Sequence, residues 1–111
     1  MRQFDHEKLN VYQIAITFVA WSSDLLTEIP KNISVHNQFD RASTSIPLNI
    51  AEGNGKYTSA DRCRFFDTAR GSALECAACL DVLVAKTIIE ESVAVEGTGM
   101  LLGIVSICWL D

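Results

Sequence analysis

The chain has 111 residues, 49% of them hydrophobic, and its 14 Asp and Glu outweigh 9 Lys and Arg for a formal charge of −5. One domain spanning 1–111 is expected, with a thin core, since a chain this short buries only about two-thirds of its unfolded surface, and the apolar surplus points to a second copy as partner. The acidic balance opposes nucleic acids and anionic membranes at long range. No apolar stretch reaches the roughly 20 residues of a membrane span, and Met1 to Asn10 lacks a secretory pattern, so a cytoplasmic setting is expected.

Helix one is predicted over residues 9–29, where Val11, Ile14, Phe18, Leu25 and Ile29 recur at the spacing of one helix face. A second stripe, Leu9, Tyr12, Ile16, Val19 and Leu26, runs beside it. Two apolar flanks suit a helix packed inside one bundle and against another. Asp5 is the expected cap, Phe4 and Leu9 the expected staple, and Pro30 marks the end because the residue before a proline avoids helical geometry.

Helix two is predicted over residues 34–52, capped by Ser34 and stopped by Gly53 and Gly55. Phe39, Ala42, Ile46 and Ile50 form its apolar stripe; Arg41, Ser45, Asn49 and Glu52 form a polar one beside it. Pro47 cannot donate to Ser43, so a bend is expected there. Thr58-Ser59-Ala60-Asp61 fits a capping box and opens helix three, which runs to about residue 86 with Phe65 or Phe66, Ala69, Ala73, Cys76, Leu80 and Leu83 on its apolar side. Helix four, over residues 90–110, has Met100, Leu101, Ile104, Val105, Ile107 and Cys108 at helical spacing. Gly97, Gly99 and Gly103 each weaken it by about 1 kcal/mol relative to Ala. The fold class is all-α: an antiparallel up-and-down four-helix bundle, with short connections joining neighbours.

No catalytic constellation and no cofactor or metal site is evident. Cys76-Ala77-Ala78-Cys79 lies deep in a predicted helix with no strand before it, unlike a redox pair at a helix N-terminus, and the four ligands of a structural zinc are missing. These cysteines read as packed core thiols. No Glu-x-x-His pair supports a di-iron site. Gly53-Asn54-Gly55-Lys56 lacks the strand, spacing and hydroxyl residue of a phosphate loop, and Gly71-Ser72 lacks the context of a nucleophile elbow.

Folding helices two and three about Tyr57 brings their polar stripes together, with Ser45 expected near Thr68 and Arg41 near Ser72 or Glu75. Arg41 with Glu75, and Glu52 with Arg64, would form a charge-paired layer that sets register. Arg41, Ser45, Asn49, Glu52, Arg64, Ser72 and Glu75 are the alternative candidates for a small-ligand or enzyme cleft. Lys56, Tyr57, Arg62 and Arg70 are the candidates for nucleic-acid contact, since basic and aromatic groups together hold strands. Against that, Asp61 and Asp67 stand three residues from Arg64 and Arg70 and can neutralise the patch.

The string from Gln38 to Gly53, QFDRASTSIPLNIAEG, resembles the signature of the 23S rRNA intervening-sequence proteins. Phe4 through Tyr12 resembles that family's opening; Arg64-Phe65-Phe66, Ala69-Arg70-Gly71-Ser72 and Glu75 resemble its third helix. The resemblance implies a left-handed antiparallel four-helix bundle, commonly a homopentamer, with a distant likeness to nucleic-acid-binding accessory proteins of diversity-generating retroelements. It implies a non-enzymatic protein that binds itself and has RNA or DNA as the first partner to test. The glycine-rich ending and acidic total depart from those relatives.

Overall fold

The computed structural model describes the backbone of residues 6–109 and the side chains of residues 10–106. Four helices follow in order, α1 (His6–Leu26), α2 (Ser34–Asn54), α3 (Ser59–Ala85) and α4 (Glu91–Trp109), and no strand occurs among the described residues. The expected cap at Asp5 and the Phe4–Leu9 staple lie outside the described side chains.

Each helix contacts the next, and α4 returns to α1, with no diagonal pairing. The section is therefore a square with one helix at each corner. Its long extent of 44 Å matches the roughly 40 Å that the 27 residues of α3 span at 1.5 Å each. Phe18 stands in the middle of the core, edge-on to Phe39 at 6.1 Å and stacked on Trp21 at 5.6 Å between ring centroids. Phe39, Ala42, Ile46 and Ile50 of α2 are all buried, as their spacing predicts, and so are Phe66, Ala69, Ala73, Cys76, Leu80 and Leu83 of α3.

Helix α1 departs from its two-flank expectation. Tyr12 and Leu26 of the second stripe pack against this chain's own core, as do Ile14 and Trp21 on the other side. A corner helix has two neighbours, so an apolar arc wider than one stripe is used within a single bundle. Among the described residues of that stripe, Ile16 alone is exposed.

The helix ends show which local rules acted. After α1 the backbone tightens, with Glu28 N–H donating to Leu25 at 2.9 Å and Ile29 N–H to Leu26 at 3.2 Å before Pro30. Ser34 is not the cap of α2: Ile33 holds that position in extended geometry without a side-chain bond, and Ser34 is the first helical residue. The helix runs unbroken through buried Pro47, and past Gly53, to Asn54; Gly55 ends it with φ −90°. Thr58 caps α3 as expected, its hydroxyl accepting from the Asp61 N–H at 3.1 Å.

The α3–α4 turn is a Schellman motif. Ile88 N–H donates to Leu83 C=O and Thr87 N–H to Val84 C=O, both at 2.9 Å. This geometry requires a left-handed residue, and Thr87 supplies it at φ 58°, the one non-glycine residue with positive φ among those described. Helix α4 forms across its three glycines. Gly97 is buried against Trp21 and Leu80, where an added Cβ would lie 2.5 Å from the Trp21 ring, whereas Gly99 faces open space.

Candidate functional site

Between α2 and α3 the expected charge-paired layer gives way to a small neutral contact. The Ser72 hydroxyl donates to Ser45 Oγ at 2.9 Å, and Asn49 Nδ2 donates to the same oxygen at 2.9 Å and to the Ser45 carbonyl at 2.8 Å. Three neutral, half-buried side chains thus bridge the seam. Ser45 meets Ser72 rather than Thr68, a shift of about one helical turn. Gly53 lies inside α2, and a Cβ added there would lie 2.9 Å from Phe66 and 3.0 Å from Phe65.

The expected cross-helix ion pairs do not form, although Ser45 opposite Ser72 brings Arg41 and Glu75, and Glu52 and Arg64, within one residue of opposite positions. Glu52 binds Lys56 at 3.3 Å, and Arg64 binds Asp61 at 3.0 Å, each within its own stretch of chain. Arg41 and Glu75 are both exposed and form no ion pair among the described residues. Pairs one turn apart need little ordering, and exposed ones add only about 0.3–0.5 kcal/mol. The seven predicted layer residues therefore divide into a neutral trio and four solvent-facing charges.

At the end of the bundle where α2 turns into α3, Lys56 and Arg64 gather over Phe65. Lys56 Nζ lies 5.2 Å from the Phe65 ring centroid and the Arg64 guanidinium 5.7 Å from it, within the range of cation–π attraction. Tyr57 is fully exposed, at 101% of its reference area. Arg62 is half-buried without an ion pair, while Arg70 lies 3.9 Å from Asp67, as the three-residue spacing anticipates. Lys56, Arg62, Arg64 and Arg70 stand against Glu52, Asp61 and Asp67, which leaves this end close to neutral.

Cys76 and Cys79 are buried free thiols, and Cys63 is half-buried. Burial pushes the Cys76 thiol up, with Cys79 and Glu75 adding to the shift; burial raises Cys79 as well, followed by Glu75. Groups held in the thiol form are poor nucleophiles and metal ligands. Among the described residues, no three His, Cys, Asp or Glu side chains gather where they could hold a metal ion, and no helix is long and apolar enough to cross a membrane.

Residues 7–104 match the 23S rRNA-intervening sequence proteins. The chain belongs to that family. Among solved structures, it superposes with a TM-score of 0.88 on a protein of unknown function from the S23 ribosomal protein family of Bacteroides thetaiotaomicron, at 19% identity, covering 94% of this chain and 96% of that one. At that identity the likeness carries the fold alone. No curated protein matches. As a 23S rRNA-intervening sequence protein the chain keeps the four helices of its fold although its last helix holds three glycines and its net charge is acidic. Sequence reasoning missed the part of Gly97, which receives Trp21, because the residue that needs the space lies in a distant helix.

Proposed function

We propose that this family member is a non-enzymatic, self-associating helical bundle, with a homopentamer as the family-based expectation, which contacts single-stranded RNA or DNA through the α2–α3 end. The carrying observation is Tyr57, an aromatic ring wholly in solvent, next to Lys56 in the chain and five residues before Arg62. A ring placed so offers both faces for base stacking, worth about 1–3 kcal/mol per base. The nearby cations provide backbone contacts, and Arg62 is not committed to a carboxylate.

The electrostatics set the scale of the interaction. With local charge near neutral, about two or three phosphates are engaged, so log K should fall with log salt at a slope of roughly −1.4 to −2 for a single strand. Stacking then supplies much of the affinity. The test is a salt-titrated binding measurement with short RNA and single-stranded DNA. Binding at low salt, weakened at least fivefold by Tyr57→Ala and flattened in salt slope by Arg62→Gln, supports the reading. Absence of binding at low salt overturns it.

A further inference from the structure

Charge is distributed unevenly along the bundle. The end formed by the α1–α2 and α3–α4 connections carries Asp24, Glu28, Asp81, Glu90, Glu91 and Glu96 against Lys31 and Lys86, so six carboxylates to two amines place most of the chain's formal charge of −5 there. None of the six forms an ion pair among the described residues. The α2–α3 end, with four cations against three carboxylates, is close to neutral.

An apolar groove starts at the acidic end. Asp81 of α3 lines it with Glu91, Val95, Thr98, Gly99 and Leu102 of α4, around a volume of about 390 Å³. Val95 and Leu102 are largely exposed in it. Leu74, also exposed, stands two turns before Asp81 on α3, and Leu102 two turns after Val95 on α4, so in this antiparallel pair the two leucines come level and prolong the groove. A Cβ added to Gly99 would meet nothing within 4 Å, which leaves room between Val95 and Leu102 for another helix to approach closely.

Shape and charge together select the occupant. Apolar contacts two turns apart suit a helix that presents anchors at i, i+3 or i+4, and i+7. Uncompensated carboxylates at one end of the groove favour lysine or arginine on the flanks of that helix and repel an acidic one. Lys56, Arg64 and Arg70 of this chain already stand against carboxylates, so a second copy offers few uncommitted cations. We infer that the α3–α4 groove seats a basic amphipathic helix from another polypeptide. The acidic end lies opposite the Tyr57 end, and the inference does not rest on the nucleic-acid reading.

The test measures binding of the full chain to a labelled helical peptide with leucine on one face and lysine on the other. Binding at low salt is expected. Leu102→Ser should weaken it about tenfold, and Asp81→Asn combined with Glu91→Gln should weaken it and flatten its salt dependence. Leu48→Ser on α2, as exposed as Leu102 at 63%, should leave it unchanged. Circular dichroism checks that each variant is helical, and Val95→Ser replaces Leu102→Ser if that one is not. Absence of binding, equal loss in Leu48→Ser, or equally tight binding of oligolysine or of a leucine–glutamate peptide overturns the inference. So does a fall in the protein's own assembled mass as the peptide binds, since light scattering would then assign the groove to a second copy. None of these outcomes touches strand binding at the other end, which the salt-titrated RNA measurement decides separately.

Discussion

Where α4 meets α1, Gly97 makes room for Trp21, and a Cβ would lie 2.5 Å from the edge of the indole; where α2 meets α3, Gly53 makes room for Phe66 with 2.9 Å to the ring. The two seams use one device for different purposes. Around Gly97 the neighbours named are apolar, Trp21 and Leu80, so shape alone locates the helices. The Gly53 seam adds one bond between helices, Ser72 to Ser45, which is lost if either helix slides by a turn, while Asn49 holds Ser45 from within α2. The notch thus sets how closely two helices approach, and the polar trio sets where along their length they meet.

The largest break in this comparison should come from Gly97→Ala. Overpacking against a rigid ring costs about 1–3 kcal/mol, less about 1 kcal/mol regained in helix propensity. The net fall in urea unfolding is up to about 2 kcal/mol, nearest that limit because this contact is the tightest, with a smaller additional loss when Trp21→Ala is already present. Gly53→Ala should cost about 1 kcal/mol, because the added Cβ would meet its neighbours at 2.9 to 3.1 Å, less tightly than at Gly97. Ser72→Ala should cost a comparable 1 kcal/mol or less, and adding Ser45→Ala should cost much less than a second such loss, since the two share one bond. The smallest effect has the opposite sign. Gly99→Ala should raise stability by about 0.5 kcal/mol, as its Cβ meets nothing. Equal losses at Gly97 and Gly99 would dismantle the distinction between a notch and a merely permissive glycine.

Much of the architecture was legible. The stripe from Phe39 to Ile50 and that from Phe66 to Leu83 report burial because each helix keeps one face inward over several turns, and the Thr58 box is a local signal that acts locally. The family signature from Gln38 to Gly53 lies within the matched residues 7–104. Legibility failed where a residue's role depends on something distant. Gly97 reads as a weak point until Trp21 is placed beside it, and Gly53 reads as a stop until Phe66 is. The ion pairs failed for another reason: Glu52 and Arg64 find their cation and carboxylate partners nearer in the chain, in Lys56 and Asp61. At the candidate site the residue types of the α2–α3 end were readable, whereas the complete exposure of Tyr57 was not.

The Schellman turn at Thr87 limits what can replace that residue. Its amide proton is engaged by Val84 and its backbone sits at φ 58°, so proline is excluded twice over, by ring geometry and by the missing donor. Valine and isoleucine, branched at the same carbon as threonine, gain nothing, while glycine and asparagine enter this conformation more readily. A saturation library at this codon should therefore be ranked by tolerance for left-handed backbone, with hydrophobicity of little account, although the next residue, Ile88, packs on the core.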